Sequence, residues 1–137
     1  MVDLVITSAD VQAQGGANRG QKVAAATIVA GDVLTADANA QAILADDSTA
    51  ALAALIGIAL HGASSGQPIE YQISGRIDVG ATLDIGKHYV LSTAGGIAPV
   101  DDIAGGEFAS YIGWAEDAQF LRLSLLAADA AAASAVA

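Results

Sequence analysis

Hydrophobic and polar residues alternate in two stretches of this 137-residue sequence. In QPIEYQIS (67–74), Ile or Tyr occupies every second position from Ile69 to Ile73. In QFLRLSLL (119–126), leucines alternate with Arg and Ser in the same way. A period of two is the pattern of a strand with one buried face, because successive side chains point to opposite sides of a sheet. Both stretches are therefore predicted to be half-buried β-strands.

Glycines divide the rest of the chain into short segments. VAAATIV and VLT flank Gly31 and Asp32, which predicts two short strands around a tight corner. RIDV, HYVLS and DLVIT (3–7) are further strand candidates. The run 48–55 is rich in Ala and follows polar residues that can cap a helix, so one or two helical turns are expected there, ended by Gly57.

The two ends of the sequence differ in composition from its middle. Residues 8–21 are polar and contain glycine, so we expect an extended arm or loop. Residues 127–137 are almost all small, and a helix this short is marginal in water unless it docks. The predicted organisation is an N-terminal strand and arm (1–22), one β domain (23–126) and an Ala-rich tail (127–137). The predicted fold is mainly β, a small single-domain β-barrel or β-clip-like sandwich.

The sequence partly repeats itself after 55 residues. This shift places Ala26-Thr27 on Ala81-Thr82 and Gly31 on Gly86, and it also superposes Asp46-Asp47 on Asp101-Asp102. One residue later, IGIA at 56–59 falls on IGWA at 112–115. The matches keep their order, which is typical of repeated units. A true duplication and a common use of glycine turns within one barrel are both consistent with this pattern.

Composition limits the classes of partner. The formal charge is −10, from five basic and fifteen acidic residues, so nucleic acid and anionic lipid are disfavoured as partners. The hydrophobic fraction is 54% but aromatics are only 4%, which predicts a thin core of small and β-branched side chains. A subunit or partner surface would help to stabilise such a core. The longest apolar run, 51–60, is too short to span a bilayer, and no secretion signal is visible at the start.

Candidate chemistry is sparse. His61 and His88 stand without the spacing of a metal or catalytic motif, and the chain has no Cys. The aspartate pairs at 46–47 and 101–102 lack the ligand ladder of a calcium loop. Ser64-Ser65 lies in a stretch with the composition of a hairpin loop, and no glycine motif for binding phosphate occurs. We therefore expect no enzymatic activity, no cofactor and no metal.

Two longer runs carry a family resemblance. They are IVAGDVLTADAN (28–39) and GIALHGASSGQPIEYQISGRIDVGATLDIGKHYVLSTAGGIAP (57–99). In the order of its glycine corners and strands, the chain over about residues 23–125 resembles the capsid decoration, or cement, proteins of tailed bacteriophages. The resemblance implies a small β-rich protein made in the host cytoplasm. Such a protein binds the major capsid protein on the outside of the assembled head, commonly as a homotrimer at three-fold positions.

The same resemblance implies an N-terminal arm that reaches onto the shell. Leu4, Val5 and Ile6 are candidates for adding a strand to a sheet edge of the shell or of a neighbouring subunit, and Arg19 and Lys22 for screened charge contacts. Deleting residues 1–21 is then expected to leave a folded domain that no longer decorates heads.

Trp114 is the only tryptophan in the sequence and is a candidate anchor in the core or a subunit interface. IVAGDVLT also resembles the corner of β-clip domains and, more loosely, of biotinyl or lipoyl carrier domains. Lys87 does not lie in the signature that a carrier needs. The alternative function is a carbohydrate-binding or adhesive surface domain, although the chain has few aromatics that could stack on sugar rings.

Overall fold

The computed structural model describes residues 4, 6–7, 10–13, 18–49, 52–100 and 110–126. The strands among these residues are Gln12–Ala13 (β1), Asn18–Val23 (β2), Val33–Ala36 (β3), Ala42–Leu44 (β4), Leu55–Ala59 (β5), Pro68–Asp78 (β6), His88–Leu91 (β7), Ile97–Pro99 (β8), Tyr111–Ala115 (β9) and Phe120–Leu126 (β10). All their pairings are antiparallel, and the sheet curls strongly into a half-barrel. The predicted mainly β, single-domain fold is confirmed.

The sheet is built from two equivalent units, which we call the first unit (24–74) and the second unit (79–126). Along the main path the strand order is β4-β3-β5-β6-β10-β9-β7-β8, so the second unit repeats the first in reverse order across the β6–β10 junction. β7 and β8 each begin 55 residues after β3 and β4, and β9 begins 56 residues after β5. At the junction Ser74 lies opposite Ser124.

The repeat extends to individual hydrogen bonds. The amide of Gly31 donates to the carbonyl of Ala59, and the amide of Gly86 donates to the carbonyl of Ala115, both at 2.9 Å. Both glycines have positive φ, 94° and 78°, which explains why the corner needs glycine in each unit. The repeated sequence pattern is thus a repeated structure. The second aspartate pair, 101–102, lies outside the described residues.

β6 is the long central strand. β1 and β2 follow one another along one of its edges, while its other edge pairs first with β5 and then with β10. Where the partner changes, Gln72 is fully buried, and its Nε2 donates to the carbonyls of Ser74 and Arg76 at 3.0 and 2.9 Å. Ile73 is 41% exposed instead. The predicted alternation therefore holds for Ile69 and Tyr71 and fails at Ile73, because the register with β2 shifts there. Asn18 lies opposite Ser74 and Arg19 opposite Gln72, which leaves Ile73 as an extra residue in β6.

The main core combines side chains of both units. Val33 and Ile58 of the first unit share one cluster with Tyr89 and Leu121 of the second. A smaller cluster, with Tyr71 at its edge, packs between β3, β5 and the start of β6. Aliphatic residues dominate both clusters, as the composition predicted. No helix in the described ranges is long and apolar enough to cross a membrane.

Four local predictions are wrong. Apart from Val23, the run VAAATIV (23–29) is not a strand and makes only isolated bridges at Ala24 and Ile28, and the described residues of DLVIT (4, 6 and 7) lie in no strand. The expected helix over 48–55 is a pair of turns in its described part, and Gly57 lies inside β5 rather than at a helix end. The polar arm predicted over 8–21 contains strand: Gln12–Ala13 and Asn18–Val23 pair with β6. Backbone pairing along the long β6 strand organises this polar sequence without requiring apolar side chains. The tail (127–137) lies outside the described residues.

Candidate functional site

The candidate contact residues near the N-terminus lie against their own chain. The amide of Leu4 donates to the carbonyl of Ile97 at 2.7 Å, and the amide of Thr7 donates to Gly80 at 2.8 Å. Leu4 and Ile6 also pack on the main core. Their role in contacting a shell stays a prediction. In this structure the backbone bonds of Leu4 and Thr7 go to the second unit, while the Ile6 side chain also lies beside Gly31 of the first unit. Val5 lies outside the described residues.

Arg19 and Lys22 lie on β2, which pairs only with β6 among the described strands. The Arg19 guanidinium is 3.6 Å from a carboxylate oxygen of Glu70, and both side chains are about half exposed. An exposed pair of this kind contributes little to stability and is screened by salt. The edge of β2 therefore carries mild positive charge on a strongly acidic protein.

Trp114 belongs to a row of side chains that crosses the second unit. On β9 it lies between His88 of β7 and Arg122 of β10, and Arg122 is in turn opposite Arg76 of β6. Directly opposed residues of neighbouring strands project from the same face, about 5 Å apart. Four strands thus present an aromatic ring, an imidazole and two guanidinium groups side by side, and Trp114 is half-buried among them.

Two more aromatic residues flank this row. The Tyr111 hydroxyl lies 2.6 Å from Nδ1 of His88, joined by a hydrogen bond, and the two rings are tilted with centroids 5.6 Å apart. The Arg76 guanidinium stacks over the Phe120 ring, 4.9 Å from its centroid. We call the set Arg76, His88, Tyr111, Trp114, Phe120 and Arg122 the arginine–aromatic face.

Glu116 holds the two arginines of this face together. Its Oε1 accepts from Arg122 Nε at 2.9 Å and lies 2.8 Å from Nη2, while Oε2 accepts from Arg76 Nη1 at 3.2 Å. The hydrogen bond from Arg122 has the largest effect on the pKa of the Glu116 carboxyl. Together with the charge of Arg122 and the hydrogen bond and charge of Arg76, it outweighs the opposing desolvation and lowers this pKa. The carboxylate offsets the repulsion between the opposed guanidinium groups.

The lowered pKa predicts an acid-dependent step. A carboxyl whose pKa is lower in the folded state stabilises the protein above its unfolded pKa, and this contribution is lost as pH falls through the folded pKa. We expect the difference in stability between the wild type and Glu116→Gln to be constant near neutral pH and to shrink in acid. Chemical denaturation across the acid range measures it. A difference that does not change with pH would contradict the ionic role of Glu116.

A polar groove of about 550 Å³ lies beside the start of the second unit. Its lining includes Thr7, Asp78, Thr82 and Gln119. Asp78 is buried, with one carboxylate oxygen accepting from the Gly80 amide at 2.9 Å and the other from Gln119 Nε2 at 2.7 Å. Such hydroxyl, amide and carboxylate groups suit a polar ligand. Among the described residues no three His, Asp or Glu side chains are grouped to hold a metal.

Sequence reasoning found Trp114 but missed the residues around it, because their proximity depends on strand register. The repeat did contain a signal for His88 and Trp114. In the alignment of the two units His88 falls on Val33 and Trp114 on Ile58, so two aliphatic residues that are fully buried in the first unit are replaced by a polar and an amphipathic residue in the second. Comparison with known proteins adds no identification: neither a family model nor a curated protein matches the chain.

Proposed function

We propose that this chain is a viral structural protein that binds the outer surface of an assembled capsid and stabilises it. The observation that carries the proposal is the resemblance of its ordered sequence phrases to phage decoration proteins. Those phrases fall on β3, β5, the start of β6, β7 and β8 and on the glycine corners between them. The phrases that carry the resemblance thus lie on strands and turns of the sheet.

The proposed partner is the major capsid protein, and the proposed assembly is a homotrimer at three-fold positions on the virion surface. A thin aliphatic core gains stability from burial in a symmetric assembly. The chain also presents surfaces of two kinds on which a partner can dock: the edge of β2 that no other described strand pairs with, and the arginine–aromatic face. Direct binding to nucleic acid or membrane does not fit the charge of −10.

Cosedimentation tests this function. Purified chain is added to naked heads of the virus that encodes it, and the expected result is that the chain pellets with the heads and protects them against mild denaturation. Density at three-fold positions in images of the particle is expected. Arg19→Ala combined with Lys22→Ala should weaken binding only at low salt, since exposed charges are screened. A chain that stays in the supernatant, or density away from three-fold positions, would argue against the proposal.

The alternative function, binding of carbohydrate by a surface β domain, is favoured by one observation, the polar groove beside Asp78 and Gln119. Its hydroxyl, amide and carboxylate groups match the hydrogen bonds that sugar hydroxyls form. Two results together would replace the capsid proposal with this one. The chain would leave heads unprotected, and it would bind a glycan in a way that Gln119→Ala abolishes.

A further inference from the structure

The aromatic residues of the chain are distributed unevenly. The sequence has six, one Trp, three Tyr and two Phe. Tyr71 and Tyr89 are buried, and Phe108 lies outside the described residues. The other three are all on the arginine–aromatic face, together with two of the three arginines. Trp, Tyr and Arg are the residues most enriched at the centres of protein interfaces.

The equivalent positions of the first unit show that the fold does not require these residues there. Val33 and Ile58 occupy the positions of His88 and Trp114, and each is fully buried in the core. In the second unit the same strand positions carry polar and amphipathic side chains, and His88 is exposed. This face is therefore turned towards solvent in the isolated chain, with large side chains that a solvated sheet does not need.

The two arginines retain hydrogen-bonding capacity. Within the described residues, Glu116 engages Nε and Nη2 of Arg122 and Nη1 of Arg76. A guanidinium has five N–H donors in a rigid fork, and the side chains of Arg76 and Arg122 are 40% and 47% exposed. The remaining donors of both groups suit a second carboxylate, and the salt bridges and Phe120 hold the forks in place before it arrives.

We propose that the arginine–aromatic face binds a carboxylate-bearing surface of a partner protein, with Trp114 and Tyr111 providing apolar contact beside the arginines. Charge and hydrogen-bond complementarity identify this occupant: two of the chain's three arginines lie here, and the Glu116 carboxylate that they share occupies only part of their donor capacity. The net charge of −10 opposes polyanions such as nucleic acid and anionic membranes. A second copy docking face to face would bring arginines against arginines. The inference rests on the proposed function for one point only, the identification of the partner as the capsid shell. The preference of the face for carboxylates does not depend on that function.

A peptide titration tests the chemistry without any virus. The probe is a short peptide of alternating glutamate and alanine, compared with the same peptide carrying glutamine, and binding is followed by the fluorescence of Trp114, the only tryptophan. The glutamate peptide should bind more tightly. Arg76→Gln with Arg122→Gln should weaken its binding about tenfold, because each half-exposed charged contact contributes a factor of a few.

The matched control is Arg19→Gln with Lys22→Gln, which changes the net charge equally at the edge of β2. It should retain the preference for glutamate. Arg76→Lys with Arg122→Lys keeps the charge but removes the planar guanidinium groups, so its affinity for the glutamate peptide should be intermediate. This variant replaces the glutamine pair in the test if the glutamine pair fails to fold. Equal binding of the two peptides by the wild type, or equal losses in face and β2 variants, would overturn the inference.

Naked heads then separate this inference from the proposed function. If the wild type and the β2 variant decorate heads but the variant Arg76→Gln with Arg122→Gln does not, the capsid function and the carboxylate-binding face are both supported. If the wild type decorates heads and the face variant does so equally, the face is not the attachment surface. If the wild type does not bind heads while the peptide result holds, the capsid function fails and the carboxylate-binding face stands.

Discussion

Gly113→Ala is expected to destabilise the protein by about 3 kcal/mol, enough to remove much of the stability of a domain this size. Gly113 lies inside β9, where a methyl group would collide with the backbone carbonyl of Arg122 on the neighbouring strand and crowd Leu123. Backbone in the middle of a sheet cannot rotate away as a side chain can. The substitution therefore forces β9 and β10 apart beneath the arginine–aromatic face.

Gly66→Ala is the control for this prediction. Gly66 has a φ of 91°, so alanine is strained there, but beyond its own chain neighbours no atom of the described residues lies within 4 Å of the added methyl group. The expected cost is about 1 kcal/mol, from backbone conformation alone. Urea denaturation of both variants measures the difference. Similar losses at the two positions would mean that the sheet yields at Gly113 and that its close approach is not required.

Gly113 also shows why the repeat could be predicted from sequence. It aligns with Gly57, whose added methyl group would meet the backbone of Gln72 and the ring of Tyr71. In both units the glycine lies beside a break in register, Leu34/Thr35 in one and Tyr89/Val90 in the other. Positions at which only glycine fits keep a glycine in both units. The turns and the close contacts between strands could therefore be predicted from the repeated glycines, even though Ala and Gly are abundant in this sequence.

Long-range pairing could not be read in this way. The polar run of β2 has no apolar period, and it becomes a strand only because β6 offers an edge along its whole length. Gln72 was predicted to be on an exposed face and is buried, because its amide bonds to the carbonyls at the point where β6 changes partners. The Ala-rich run at 48–55 has high helix propensity. It connects β4, which ends at Leu44, to β5, which begins at Leu55, and the pairing of these strands with β3 outweighs that propensity.

Only one residue of the arginine–aromatic face, Trp114, could be identified as a candidate from the sequence. Trp114 is conspicuous in a chain poor in aromatics, whereas Arg76 and Arg122 are 46 positions apart and meet through the register of β6 with β10. Nothing in their local sequence indicates that they share Glu116. The charge argument from sequence pointed instead to Arg19 and Lys22, since it weighed position along the chain and not position on the sheet.

Deleting residues 1–21 is expected to unfold the protein, which revises the expectation drawn from the sequence. The deletion removes β1, most of β2 and the apolar contacts of Leu4, Ile6 and Val11 with the main core. Partial burial of three such side chains stabilises by about 5 kcal/mol, comparable with the whole stability of a small domain. Circular dichroism and thermal denaturation should show the loss of a cooperative transition.

The N-terminal segment has this effect because it completes the second unit. In the first unit the carbonyl of Ala42 accepts from the amide of Ala25, whereas at the equivalent carbonyl, that of Ile97, the donor is Leu4. Ile6→Ala should accordingly destabilise by about 2 kcal/mol, while Ile85→Ala, at a side chain that is 75% exposed, should change stability by less than about 0.5 kcal/mol. A truncated chain that melts cooperatively near the wild-type temperature would show that the segment is dispensable for folding and free to act as an arm.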